Sequence, residues 1–292
     1  MKRIILLSSV LASEPCDDHF DWQDMGQEAR EIVPAWNSLF DVWVISTKKL
    51  VDGWFKLSRK SSESTWAWDE SQQRGAVSRL AVDFQGNPAF LDYNGRINWK
   101  KNGNWDVIEG CATDIAFGGK GHLYKISCMS DGYRVYQYKK GGWKKFPNQT
   151  KKALRLTIAP SGIPWIVTWD YKVFRFSYYK WSDMGLDGAK EVTAGPGNEV
   201  YALSKNSKIY KFMGENRWNL VDEKEGVQAI SIGGNGRIYI RDDKNHTYMS
   251  DTLIYTTEYL TEEQMARKKA QCKAELKLTD TMEKLKEAKD EI

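Results

Sequence analysis

The chain has 292 residues, of which 41% are hydrophobic and 28% are charged, so it is long and apolar enough to bury a large core. Its net charge of +4 is spread along the sequence, without the single basic face or run that is typical of nucleic-acid-binding proteins. The 13 tryptophans and 14 tyrosines favour β-structure, because aromatic side chains fit pleated, half-buried surfaces. We therefore expect a β-rich protein that does not bind nucleic acid.

Residues 1–12 combine a basic start with a short apolar run that ends in Val10-x-Ala12. This pattern is typical of a secretory signal peptide and is too short to span a bilayer; the alternative is a buried strand. It predicts a secreted protein or one of the endomembrane lumen. If Met1 is retained, the alternative is a cytoplasmic or cytoskeleton-associated protein. No later apolar run approaches transmembrane length, so we expect no membrane span.

An internal repeat is marked by six tryptophans, separated by 46 residues in the first interval and by 37 or 38 in the others. In each copy, a small residue, an apolar residue, a turn residue and usually an aromatic follow at nearly constant offsets. Each unit contains four short strand-like runs, which is typical of a propeller blade. The sequence thus predicts a six-bladed β-propeller of four-stranded blades over residues 20–250. The marker residues are Trp22, Trp68, Trp105, Trp143, Trp181 and Trp218.

The repeat resembles the tectonin repeat of tachylectin- and tectonin-like proteins. Its pattern is W-x-x-[apolar]…G-x-A-x-x-[IVL]-[AS]-x-G-x-x-G-x-[VIL]-[YW], and residues 105–124 are the clearest copy. The resemblance implies that the tryptophan strand is the outermost strand of the preceding blade. The strand Phe20–Met25 would then pair with residues 227–249 and close the ring. The family includes lectins that bind bacterial lipopolysaccharide or other surface glycans.

The four cysteines, Cys16, Cys111, Cys128 and Cys272, match no zinc-binding spacing. Cys111 and Cys128 lie at equal distances from the predicted turn at Gly119-Lys120, so they face each other across a hairpin. They form either a disulfide or two small buried thiols. A disulfide would favour an oxidising compartment.

The composition changes at Thr261, where residues rich in Ala, Lys, Glu, Leu and Met begin without Gly or Pro. We predict an amphipathic C-terminal helix over residues 261–292. Its narrow apolar stripe indicates either a helix that packs on a partner or forms a coiled coil, or a solvated helix that frays or docks on its own propeller. The stripe consists of Cys272, Leu276, Leu278, Met282, Leu285 and Ile292.

No catalytic, phosphate-binding or metal-binding motif occurs, so we expect a protein that is not an enzyme and needs no cofactor or metal. The repeated tryptophans could be platforms for sugar stacking, but their fixed position favours a packing role. Trp36 and Trp66 lie outside the repeated position and are candidates for exposed binding aromatics.

Three functions follow in order of preference. The first is a non-catalytic scaffold that binds protein partners in an assembly through its propeller loops and C-terminal helix. The second is a secreted tectonin-like lectin in which several weak sites act together. The third, an enzyme, is supported by the propeller fold alone.

Overall fold

A computed structural model describes Phe20 and residues 22–36, 41–49, 54–60, 66–68 and 78–250, with the backbone alone for 66–68. These residues form 23 β-strands and a 3-10 turn at Met129–Asp131. The strands are β1 (Trp22–Pro34), β2 (Val42–Lys49), β3 (Phe55–Lys60), β4 (Trp66–Trp68), β5 (Ser78–Val82), β6 (Pro88–Leu91), β7 (Ile97–Lys101), β8 (Asn104–Ile108), β9 (Ala112–Phe117), β10 (Leu123–Ser127), β11 (Val135–Lys139), β12 (Gly142–Lys145), β13 (Ala153–Ile158), β14 (Pro164–Thr168), β15 (Lys172–Ser177), β16 (Lys180–Asp187), β17 (Ala189–Ala194), β18 (Val200–Ser204), β19 (Ile209–Gly214), β20 (Arg217–Asp222), β21 (Ala229–Ile232), β22 (Ile238–Arg241) and β23 (His246–Ser250).

Four of the sheets are antiparallel meanders of four consecutive strands: β5–β8, β9–β12, β13–β16 and β17–β20. The second strand of a sheet is the most buried. Strands β10, β14 and β18 are buried at every position, because neighbouring sheets cover both of their faces. The fourth strand is largely exposed, as in β12. The core therefore lies between sheets, and each sheet depends on its neighbours for burial.

Strand β1 joins the two ends of the described chain. Its first half pairs with the last strand, β23, placing Gln23 opposite Met249, and its second half pairs with β2, placing Val33 opposite Trp43. Pairing switches near Ala29, whose backbone N–H donates to the Asn245 carbonyl at 2.9 Å. The predicted pairing of the N-terminal strand with the end of the propeller is thus confirmed.

The prediction of six four-stranded blades is wrong. The described strands form five sheets, four with four strands and one with seven in the order β21-β22-β23-β1-β2-β3-β4, which we call the closing sheet. The physical reason is that β1 continues without a break from one set of partners to the other. The tryptophan spacing divides the chain into six units but does not reveal that two of them share a strand.

The predicted C-terminal helical tail is not supported either. The described part of the chain contains no α-helix, and its residues include no helix able to cross a membrane. Residues 261–292, with the whole apolar stripe, and the predicted signal peptide at 1–12 lie outside the described residues, as does Cys16.

The turns define two faces of the ring. The upper face carries the turns between first and second strands, such as 83–87, 118–122 and 159–163. The lower face carries the turns between second and third strands, such as 92–96, 128–134 and 169–171. The outer hairpins, which join third and fourth strands, form the rim.

The Trp22→Ala substitution tests how strongly the shared strand stabilises the ring. Trp22 packs on the apolar cluster of the last repeat, and its Nε1–H donates to Oδ2 of Asp222 at 3.0 Å. We expect the free energy of unfolding to fall by about 2–4 kcal/mol, from lost packing and an unpaired carboxylate oxygen. Urea unfolding measures this loss. The same substitution at Trp169, whose side chain is half exposed, should cost less than half as much; equal losses would contradict a special role of β1.

Candidate functional site

Charged side chains of five inner strands line one cavity at the centre of the ring. Their signs alternate around it: Glu31 on β1, Arg79 on β5, Asp114 on β9, Arg155 on β13 and Glu191 on β17. Each residue occupies the same place in its repeat, two positions after the small residue that begins the inner strand. The repeat thus brings five charges together although they are 35 to 48 residues apart in sequence. We call these five residues the axial belt.

Arg79 is the hub of the axial belt. Its guanidinium lies 3.2 Å from Glu31, 3.6 Å from Asp114 and 3.7 Å from Glu191. Burial lowers the pKa of Arg79, but the three carboxylates raise it by more, so the guanidinium stays charged. Arg155 lies 3.6 Å from Glu191 on the other side. Each carboxylate of the belt therefore lies within 4 Å of an arginine of the same chain.

Asp114 is the most perturbed acid of the axial belt. It is 4% exposed, and its carboxylate accepts backbone N–H groups of Ile115 at 3.0 Å and Leu156 at 2.8 Å. Burial raises its pKa to about 6, although the positive charges of Arg79 and Arg155 act in the opposite direction. Asp114 links two adjacent inner strands and titrates closer to neutral pH than an exposed aspartate.

Small side chains line the axis above the axial belt. They leave a cavity of about 110 Å³, below the size typical of pockets for drug-sized ligands. Trp36 lies partly buried at the mouth of this cavity on the upper face, and its backbone packs so closely on Gly234 that no side chain fits there. The small residues are Val33, Ala81, Ala116, Thr157, Thr193 and Ser231. Trp36, a candidate for an exposed binding aromatic, is thus partly exposed and borders the axis.

A larger pocket, the seam pocket, lies on the upper face between sheets β5–β8 and β9–β12. Its volume is about 540 Å³, and its lining includes Asp83, Phe84, Gln85, Trp99, Lys101 and Asn102. Trp99 donates its Nε1–H to Oδ2 of Asp83 at 3.1 Å, and the Lys101 ammonium lies 3.5 Å from the Trp99 ring centroid. Phe84 is 54% exposed. The pocket thus combines an accessible aromatic face with several polar groups.

The repeated tryptophans lie on outer strands and contact the neighbouring sheet. Trp143 donates its Nε1–H to the Glu109 carbonyl, and Trp218 donates to the Met184 carbonyl, both at 2.7 Å. Trp105 packs edge-on against Phe90 of its own sheet and on the apolar cluster that includes Leu57 of the closing sheet, and Trp181 lies beside Phe146. For Trp66 and Trp68 the structure describes only backbone pairing with β3.

Cys111 and Cys128 are joined by a disulfide, with their Cα atoms 5.5 Å apart. The bond connects the start of β9 to the residue that precedes the 3-10 turn Met129–Asp131 on the lower face. Met129 is 75% exposed. The disulfide therefore anchors an exposed apolar residue to an inner strand.

Several exposed aromatics were missed by the sequence reasoning. On the lower face, Tyr133 and Trp169 stack with their centroids 4.8 Å apart, and Tyr93 packs on Trp54 at 4.9 Å. On the rim, Tyr178 and Tyr179 are 96% and 79% exposed. These residues lie at turns where other repeats carry different residues. An aromatic residue at a turn position is therefore the sequence feature that could have indicated them. Within the described ranges, no group of three or more acidic, histidine or cysteine side chains is arranged to hold a metal ion.

Known structures share the propeller fold at low sequence identity. A gluconolactonase from Xanthomonas campestris is 11% identical, with a TM-score of 0.60 over 78% of this chain and 88% of its own. An inactive virginiamycin B lyase from Staphylococcus aureus, solved with quinupristin, is 14% identical, with a TM-score of 0.54 over 80% of this chain and 99% of its own. The WD40 propeller domain of Doa1 is 12% identical, with a TM-score of 0.53 over 79% of this chain and 97% of its own.

These similarities confirm a β-propeller and reach no further, because enzymes and a WD40 domain share the fold equally well. No protein-family model matches the sequence, and no curated protein matches it. The resemblance to tectonin repeats therefore stays a prediction.

Removing the hub of the axial belt should destabilise the fold. We expect Arg79→Met to lower the free energy of unfolding by about 3–5 kcal/mol, because buried carboxylates lose their counter-charge. The control is Lys208→Met, which removes an ion pair to Glu223 that is exposed on both sides and should cost less than about 1 kcal/mol. Denaturant unfolding compares the two variants. Equal, small losses would show that the axial charges do not hold the sheets together.

The pKa of Asp114 predicts a pH-dependent difference between wild type and Asp114→Asn. Because the folded-state pKa of Asp114 is raised, the contribution of this residue to stability is fully present below about pH 4 and is lost as the pH rises through about 6. Wild type should therefore gain stability relative to the variant as the pH falls from 7.5 to 4, by up to roughly 3 kcal/mol. Urea titrations at both pH values measure this. A pH-independent difference would contradict the perturbed pKa.

Proposed function

We propose that the protein is a non-catalytic binding scaffold whose lower face docks a protein partner. The observation that carries the proposal is the set of rigidly held, exposed apolar side chains at the seams of that face: Tyr93 at 58%, Met129 at 75% and Trp169 at 50% exposure. Large aromatic residues held in place on a surface are typical hot spots of protein interfaces.

Packing holds the two aromatic side chains, Tyr93 against Trp54 and Trp169 against Tyr133, and a disulfide holds the backbone next to Met129. The Trp169 indole donates its Nε1–H to the Ala153 carbonyl at 3.2 Å and stacks on Tyr133. Met129 follows the disulfide-bonded Cys128 directly. Because little side-chain freedom remains, binding here loses little conformational entropy.

The geometry of the axis supports a non-catalytic role. Charged groups at a catalytic centre must be available to a substrate, whereas those of the axial belt engage one another around a cavity of about 110 Å³. The propeller enzymes among the similar structures share the fold at 11% and 14% identity, which transfers no activity to this chain.

A second candidate is a lectin that uses the seam pocket. The exposed Phe84 ring beside the polar groups of Gln85 and Asn102 suits a sugar, which stacks on an aromatic face and needs several hydrogen bonds.

The disulfide at Cys111 favours secretion or an endomembrane lumen, where such bonds persist. Intact Met1 on N-terminal sequencing of the native protein would favour the cytoplasmic or cytoskeleton-associated alternative.

Affinity purification with quantitative mass spectrometry tests the docking face. We expect the double variant Met129→Ser/Trp169→Ser to retain at least ten-fold less of the specific partner than wild type does, since each hot-spot truncation costs about 2 kcal/mol or more. The matched control is Val107→Ser/Leu220→Ser, which alters two other exposed apolar residues, 44% and 42% accessible. If Met129→Ser/Trp169→Ser retains as much of the partner as wild type, the proposal is overturned. A glycan array probed with wild type and Phe84→Ala would instead support the lectin if Phe84-dependent binding occurs.

A further inference from the structure

Two tyrosines occupy the tip of the rim hairpin β15–β16. Ser177 pairs with Lys180, so Tyr178 and Tyr179 form a two-residue turn with φ values of 48° and 62°. Their side chains are 96% and 79% exposed, which makes Tyr178 the most exposed large hydrophobic residue of the described chain. Neither tyrosine is used to pack the propeller core.

This choice of residues opposes the local backbone preference. Two-residue turns with both φ values positive favour Asn-Gly, because a bulky side chain in the left-handed region is strained. The equivalent tips follow this preference more closely, with Asn102-Gly103, Lys140-Gly141 and Glu215-Asn216. Two tyrosines therefore reduce stability at this tip and expose apolar area, so folding alone does not explain them. Strained residues that persist are often found at functional sites.

A basic hairpin adjoins the tyrosine tip. The β11–β12 hairpin carries four exposed lysines, and Lys180 follows the tip itself; none of these five forms an ion pair with another residue in the described part of the chain. The segment that directly follows β12 contacts the tyrosine hairpin: the Asn148 Nδ2 group donates to the Tyr179 carbonyl at 2.9 Å, and the ring centroids of Phe146 and Phe176 lie 5.0 Å apart. Lys144 and Lys145 lie at the end of β12 that leads into this contact. The four lysines are Lys139, Lys140, Lys144 and Lys145. We call these five lysines and two tyrosines the rim patch.

Acidic side chains near the rim patch are already engaged. On β16, Asp187 lies 3.1 Å and Asp183 lies 3.9 Å from the Lys172 ammonium. On the lower side, Asp170 pairs with Lys151 at 2.9 Å. Lys172 compensates one of the two β16 carboxylate charges, and the five lysines of the rim patch outnumber the one that remains, so the patch keeps a positive charge.

We propose that the rim patch binds an anionic lipid surface, with Tyr178 and Tyr179 entering the headgroup region. Tyrosine favours that region because its ring is apolar and its hydroxyl is polar, and lysines near a membrane surface are attracted by anionic headgroups. Protein interfaces, in contrast, are enriched in arginine and depleted of lysine. Single-stranded nucleic acids are usually bound in grooves, whereas this tip protrudes. The proposal is independent of the docking face and of the seam pocket.

Vesicle co-sedimentation of the full chain tests the proposal. We expect binding to phosphatidylcholine vesicles that contain about one third phosphatidylserine, and none to pure phosphatidylcholine. Binding should be lost at about 1 M salt, where the Debye length is about 3 Å. Lys139→Gln, Lys144→Gln and Lys145→Gln together should weaken binding by roughly five-fold per lysine. The charge-matched control Lys48→Gln/Lys152→Gln/Lys244→Gln should bind at least ten-fold more tightly than that triple variant.

The tyrosine tip has a sharper test, because its repair should separate stability from binding. Tyr178→Asn/Tyr179→Gly restores the preferred turn residues, so we expect Tm to rise by about 2–4 °C while vesicle binding falls at least ten-fold. The matched repair of the next hairpin, Glu215→Asn/Asn216→Gly, should raise Tm without changing vesicle binding. Vesicle binding that survives the tyrosine repair overturns the proposal. So does binding of a mixed-sequence oligonucleotide, with the same dependence on the variants, in the absence of vesicle binding.

Discussion

The whole ring depends on one strand with two partners. Strand β1 gives its first half to β23 and its second half to β2, and the switch near Ala29 occurs without a break in the strand. Because every sheet buries its faces against its neighbours, an open ring would leave apolar surface and a sheet edge in water. The inter-sheet clusters, the axial belt and the geometry of both faces all require that the two ends of the propeller meet.

Closure brings five charges to the axis, where they contact one another. The residues that are available to a partner therefore lie on the two faces and on the rim. Arg79 contacts three carboxylates, and Asp114 is tied to the next inner strand through the Leu156 N–H. The centre of the ring is therefore a cohesive element, a buried network of charges that contact one another across adjacent inner strands. The turns carry the exposed residues that differ from repeat to repeat. These are Met129 and Trp169 on the lower face, Phe84 on the upper face, and the two tyrosines at the rim.

Much of the fold could be predicted from the sequence, because a propeller repeats its local chemistry. The tryptophan interval and turn residues indicated a propeller, and the resemblance to tectonin repeats implied the pairing of its ends. The number of sheets was missed because strand continuity through residues 22–34 depends on tertiary pairing, and the first repeat is the least regular copy. The sequence does indicate the axial belt, because five repeats carry a charged residue one position before the apolar residue of the inner strand. The charge changes sign from one repeat to the next, so the position was not recognised as a repeated feature. The position of Trp36 at the axis could not be predicted, because it depends on contacts such as that with Gly234, which no local pattern contains.

The shared strand also sets a temporal order on biosynthesis. Of the described strands, β1 is the first to leave the ribosome, and β23, its partner, is the last. For nearly the entire synthesis of residues 22–250, the edge of the first half of β1 has no partner, while the sheets between them can form in order as they emerge. An unpaired edge of this kind is a template for wrong pairing with another nascent chain. The exposed charges of that half, which include Asp24 and Glu28, oppose such pairing until the last strand arrives.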